Sequence, residues 1–191
     1  MTRVAIIDPQ PAMRTGLTLL LRAEPGIIPV GAAAGAHEGL ELAARQRPDV
    51  VLLDHQLLVG DGLGTCRRLR ALVPAPRVVL YSADGDPALH VIARVAGADG
   101  LVDKAADPAV LFEAIRRVAR GGSALPIVTP ADLDTAAHRV EPDDLALLAM
   151  LVVRTPDADV AETLHLDGRR LARRTERLLG RLRARPRAAA A

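Results

Sequence analysis

Four polar residues each close a short apolar run in the first 104 positions. Asp8 follows Val4-Ala5-Ile6-Ile7 and Asp54 follows Val50-Val51-Leu52-Leu53; Ser82 comes just after Val78-Val79-Leu80, and Lys104 just after Gly100-Leu101-Val102. Lys104 is the only lysine in the chain. Two carboxylates, a hydroxyl and an ammonium suit the capture of a phosphoryl group. Asp54 can act as a carboxylate nucleophile and form an acyl phosphate. Asp8 can help hold Mg²⁺, which prefers hard oxygen ligands. Lys104 can neutralise a phosphoryl oxygen, and the Ser82 hydroxyl can move to bond it, turning chemistry into a change of shape.

These residues are useful together only if the chain brings them to one edge. The apolar runs at 4–7, 27–30, 50–53, 78–80 and 100–102 read as buried strands. Helix-length segments lie between and after them, at about 10–22, 36–46, 61–72, 86–96 and 107–120. Pro108 inside its start and Gly121-Gly122 past its end bracket the fifth helix. Five strand–helix repeats imply a parallel sheet with helices on both faces. In such sheets the crevice opens beyond the carboxyl ends of the strands, where all four residues fall.

The repeat stops after Gly122. Residues 122–139 read as a linker without strong periodicity, and beyond it only helices are expected. Glu141-Pro142-Asp143-Asp144 is an acidic helix start, and Leu145, Leu148, Met150, Leu151 and Val152 supply apolar positions. A short helix is expected from about 157 to 164. Asp167 can cap a third, with Leu171, Leu178 and Leu182 on its inner face. From 168 to 191 nine arginines stand against one acid, a net +8, so the remaining residues carry −6 of the chain's net +2. An acidic front and a basic end are the asymmetry expected when one end meets an acidic polymer.

The motifs resemble a known family. RVAIIDPQPAMRTGL from Arg3 looks like the opening of a NarL/FixJ-type response-regulator receiver domain. DVVLLDHQLLVGDGL from Asp49 resembles its phosphoacceptor segment, with Asp54 in the acceptor place. VVLYSAD from Val78 and GADGLVDKAAD from Gly97 resemble the switch-hydroxyl and lysine segments. The resemblance covers about residues 2–121 and implies a flavodoxin-like five-stranded α/β sheet in the order 2-1-3-4-5. Residues 140–182 align without gaps to the LuxR-type helix-turn-helix, with DVAETLHL from Asp159 as scaffold helix and turn. The implied organisation is a receiver at 1–121, a linker at 122–139 and a small all-α DNA-binding domain at 140–191.

The departures shape the expected function. Pro9 stands where the resemblance places the more direct Mg²⁺ ligand, so the metal site of Asp8 and Asp54 is weakened and Mg²⁺ binding is expected to be weak. Phosphorylation at Asp54 is expected to be slow or absent. Leu58 and Leu101 replace a proline and a switch aromatic common in the family. The helix from 168 would enter the DNA major groove by its first turns, where Arg169, Arg170, Arg173 and Arg174 lie. Arg177, Arg181 and the tail through Arg187 are better placed for phosphates. The family's fourth helix is missing: Pro186 interrupts the end of the chain. Homodimerisation is therefore expected through the receiver.

Other classes are disfavoured. One Tyr, one Phe and no Trp leave no aromatic platform for single-stranded nucleic acid. The single Cys66 reads as a small buried hydrophobe, without a disulfide or Cys-rich zinc site. Gly60-x-Gly62-x-Gly64 lacks the dinucleotide spacing, and the five histidines lack metal-ligand spacing. No Ser-His-Asp arrangement suggests an enzyme. The first strand leaves no room for a signal peptide, and no run is long enough to span a membrane, so a cytoplasmic protein is expected. The reading is a DNA-binding transcription regulator, with a sensor kinase, a small-molecule ligand or another regulator as possible signal sources. The alternative is a degenerate receiver that serves as a protein-interaction module without sequence-specific DNA binding.

Overall fold

The structure, a computed structural model, describes residues 1–58 and 61–184. Val59, Gly60 and the tail from Arg185, with Pro186 and Arg187, lie outside the described residues. The chain divides into two compact units: residues 1–84 with 97–126, and residues 85–96 with those from 127 onward.

The first unit is a five-stranded parallel sheet in the order β2-β1-β3-β4-β5. Its strands are β1 (Thr2–Ile7), β2 (Ile27–Ala33), β3 (Val50–Leu53), β4 (Arg77–Ser82) and β5 (Gly100–Asp103). Its helices are α1 (Pro11–Ala23), α2 (Ala36–Gln46), α3 (Gly62–Arg70) and, after β5, α5 (Pro108–Ala119). All four residues of the central strand β3 are buried, as a strand covered on both faces requires. Side chains alternate across the sheet. Val4, Ile6, Val50, Leu52, Val79, Tyr81 and Val102 join Leu17 and Leu21 of α1 and Leu111, Ile115 and Val118 of α5 in one core. On α2, Gly39 lies so near Ile7 that a Cβ there would fall 2.4 Å from Ile7 Cδ1. A larger residue there would force the Ile7 side chain to shift, so glycine lets that helix approach β1 closely.

The second unit is all-helical. It contains α4 (Leu89–Val95), α6 (Pro130–Ala137), a 3-10 turn at Pro142–Asp144, α7 (Leu145–Val152), α8 (Asp157–Thr163) and α9 (Gly168–Arg183). Two features depart from the sequence reading. The segment expected to be a linker carries α6, because Thr129 and Asp132 form a reciprocal capping box and Pro130 stands at the first turn. The stretch before it is also ordered: Ala124 lies beside β5, its carbonyl accepting from the Leu101 amide at 3.2 Å. Secondly, α4 packs with α6, α7 and α9 in the second unit, although sequence order places it among the receiver helices.

Candidate functional site

Three of the four strand-end residues meet directly. Asp8 sits in the loop after β1, Asp54 directly after β3 and Lys104 directly after β5; both carboxylates and the ammonium are buried. Lys104 Nζ donates to Asp8 Oδ2 at 2.6 Å and to Asp54 Oδ2 at 2.7 Å. The parallel register places them, since β1 and β3 run side by side and both acids follow the paired residues Ile7 and Leu53. Ser82 ends β4, buried between β3 and β5, and its carbonyl accepts from the Lys104 amide at 2.8 Å. Its hydroxyl oxygen accepts from the Asp84 amide at 2.9 Å.

Two buried carboxylates this close repel one another, and burial disfavours any charge. Lys104 resolves the conflict. Burial opposes its ammonium, but hydrogen bonds to Asp54 and Asp8, together with their charges, outweigh that and raise its pKa above the usual lysine value. The other carboxylate oxygens also have donors: Asp8 Oδ1 accepts from the Gln10 amide and Asp54 Oδ1 from the Gln56 amide, both at 2.8 Å.

That arrangement tests the site for Mg²⁺. The ion demands near-octahedral oxygen coordination and loses its own waters reluctantly. All four carboxylate oxygens of Asp8 and Asp54 already accept a hydrogen bond, and Pro9 brings no side-chain oxygen. An entering ion would compete with Lys104 for Asp8 Oδ2 and Asp54 Oδ2. The residues present therefore offer Mg²⁺ two carboxylates already bonded to Lys104, and no side-chain oxygen from Pro9.

Several neighbours were not singled out by strand-end chemistry. Arg14 of α1 folds back so that its guanidinium donates to the carbonyls of Asp8 and Pro9, at 2.8 and 3.0 Å. The Tyr81 hydroxyl donates to the Lys104 carbonyl at 3.4 Å, and the Lys104 ammonium lies 5.9 Å from the tyrosine ring centre. Burial pushes the Tyr81 pKa up, while the nearby Lys104 opposes that shift. His55, adjacent to the acceptor, is buried with its ring nitrogens 3.8 Å from Asp54 and 3.6 Å from Asp84. Arg14 lies one helical turn beyond its targets, so only the folded α1 brings it back to them.

The second candidate surface is α9. Asp167 caps it, its carboxylate accepting from the Arg170 amide at 2.8 Å. The six arginines expected to meet DNA divide into two sets. Arg169, Arg170, Arg173 and Arg177 are exposed. Arg174 and Arg181 instead grip buried Asp144, at 2.7 and 2.9 Å, and Arg181 also pairs with Glu141 at 2.5 Å. Arg174 further donates to the Asp143 carbonyl. The acidic start that reads in sequence as helix-dipole chemistry is thus also an anchor for α9.

Comparison with known proteins agrees with this geometry. Residues 4–116 match the response regulator receiver domain family. The chain is 37% identical over 118 residues to the transcriptional activator protein ExaE of Pseudomonas putida, a match spanning 62% of this chain and 55% of that protein. It is 31% identical over 193 residues to the DNA-binding transcriptional activator DevR/DosR of Mycobacterium tuberculosis, covering 95% of this chain and 88% of the relative. Among solved structures, a LuxR-family two-component response regulator from Aurantimonas sp. is similar at 32% identity and a TM-score of 0.62, over 74% of this chain and 99% of that one. A five-stranded sheet with an acid–lysine pocket at its carboxyl edge, together with these matches, defines a signal-receiving protein. The chain belongs to the response regulator receiver domain family, and within it to the NarL/FixJ type.

Proposed function

We propose that the protein binds duplex DNA through α9 and regulates transcription, and that its receiver works with little or no Mg²⁺-dependent phosphorylation at Asp54. The observation that carries the DNA reading is the exposure of Arg169, Arg170, Arg173 and Arg177 on a helix whose N-terminus is capped by Asp167. Arg169, Arg170 and Arg173, on the first turns, are placed to read base edges in the major groove, where arginine pairs bidentately with guanine. Arg177 is placed for the phosphates. Arg174 and Arg181, held by Asp144, fix the helix rather than free its charge for DNA. A relative named as a DNA-binding transcriptional activator, similar along nearly the whole chain, supports the same reading.

The pocket reading rests on Lys104. Its ammonium is shared between Asp8 and Asp54, and Pro9 beside them adds no ligand oxygen, so Asp54 is engaged from within the protein. The signal then comes from a ligand, a partner protein or self-association, and the chain acts as a switch without enzymatic turnover.

Two measurements test this. Affinity for a duplex selected by the unaltered protein from a random pool should fall steeply with salt. Arg177→Ala should reduce the slope of log affinity against log salt by about 1. Partner capture that is insensitive to salt, with no duplex enriched, would favour the interaction-module alternative. Incubation with acetyl phosphate and Mg²⁺, followed by intact-mass measurement, should show little adduct; rapid stoichiometric labelling at Asp54 would overturn the pocket reading.

A further inference from the structure

Helix α7, with the sequence LALLAMLV, carries no polar side chain on any side. Leu147, Leu148, Leu151 and Val152 are buried within the second unit. The opposite face is exposed and just as apolar: Leu145, Ala146 and Ala149, continued by Val153 just past the helix. Leu145 is 42% exposed and Val153 75%. Leu145, Ala149 and Val153 are four residues apart, so they form one row along the helix. A helix covered on one side carries polar groups on the other, whereas one that is apolar all round is buried. Eight residues are too few to cross a membrane, and the cover that remains is protein.

The row is complementary to itself. About a two-fold axis at Ala149, two copies run antiparallel, and Leu145 of each meets Val153 of the other. At the axis Ala149 presents only a methyl group, which lets the helices approach closely. Charge follows the same symmetry. Asp143 is exposed just before the helix and Arg154 just after it, so each carboxylate comes to the other copy's guanidinium. Arg154 has five N–H donors, enough to serve that carboxylate beside any contact within its own chain. A parallel pairing would instead set like charges together.

We propose that the outward face of α7 pairs with the same face of a second copy of this chain, in an antiparallel contact centred on Ala149. Such a contact is isologous and closes at two copies. One short helix row buries less than a stable interface needs, so the contact is transient in free solution and orders C-terminal units already brought near one another.

Disulfide trapping on the full-length protein without DNA tests this, so its outcome is separate from that of the DNA-binding reading. Ala149→Cys places a thiol on the axis, while the native Cys66 is fully buried and does not compete. Glu162→Cys, at an exposed position of α8 in the same unit, measures chance encounter and any pairing made elsewhere. Each rate is normalised to that thiol's reaction with a small disulfide. The Ala149→Cys chain should form linked dimer faster than the Glu162→Cys chain by about tenfold or more, because the contact raises the local thiol concentration. Adding Leu145→Glu should return it to the control rate, since an unpaired carboxylate would be pressed against Val153. Adding Asp143→Arg should slow it as well, through repulsion from Arg154. Melting temperatures should stay nearly unchanged, because all of these positions are exposed. Linking no faster than the control, or linking unaffected by Leu145→Glu, would overturn the proposal and leave the face to a different protein.

Discussion

Lys104 decides what the receiver pocket can do. Its ammonium is the counter-charge that lets Asp8 and Asp54 lie buried together, and removing it leaves two acids facing each other without compensation. Lys104→Met should cost about 3 kcal/mol in urea unfolding at pH 7, a typical loss when one partner of a buried ion pair is removed. The lysine's raised pKa also sets a direction at the alkaline end. A group held charged in the fold contributes fully below its unfolded value of 10.5 and loses that contribution as pH rises through the folded value. The unaltered protein should therefore lose stability above that range through this group, and the methionine variant should lack that component. Asp132 behaves in the opposite sense. The Thr129 backbone amide and His90 lower its pKa against the effect of burial, so its contribution is present above 3.8 and is lost as pH falls through the lowered folded value. Asp132→Asn should flatten that acid limb in a pH series of thermal melts.

At the scale of elements, the acceptor loop depends on a close approach that the sequence does not announce. A Cβ on Gly62 would lie 2.4 Å from the His55 carbonyl oxygen, so the first residue of α3 must be glycine where it meets the His55 backbone. Gly62→Ala should destabilise the protein by about 2 kcal/mol in denaturant unfolding, because backbone rather than a flexible side chain must yield. In sequence this glycine reads as part of the phosphoacceptor-segment resemblance and of a Gly-x-Gly run without dinucleotide spacing, and neither reading gives its close approach to His55. The strands and receiver helices were legible because buried parallel strands read as short apolar runs and Pro108 marks a helix start. Asp8, Asp54, Ser82 and Lys104 were legible because strand ends fall at one edge of such a sheet. The capping box of α6 was also present as Thr129-Pro130-Ala131-Asp132, but eight residues of weak periodicity obscured it. What sequence could not give was partnership. Nothing in the periodicity of residues 89–95 says that α4 packs with helices starting more than forty positions later, and nothing in an arginine-rich helix separates Arg174 and Arg181 from the exposed set.

At the scale of the whole molecule, one copy presents five exposed arginines on α9 among the described residues, a small electrostatic footprint for specific DNA binding. Two copies would present two such helices to adjacent half-sites about one helical turn apart, the usual way helix-turn-helix proteins gain affinity and read paired sites. We propose that such pairing runs through the receiver. Leu19 of α1 and Val110 of α5 are 62% and 52% exposed, on helices that cover the same face of the sheet, and apolar side chains of this size are commonly covered at protein interfaces. Leu19→Glu should leave the buried side of α1 intact, since Leu17 and Leu21 carry that packing. Sedimentation of the full-length variant should then shift from dimer to monomer with its melting temperature nearly unchanged. Its affinity for a two-half-site duplex should fall by about a hundredfold, while binding to a single half-site stays nearly constant, because pairing rather than the α9 surface has been lost. A variant that remains dimeric would move the interface away from α1, and an unaltered protein that is monomeric at every concentration would remove pairing through the receiver altogether.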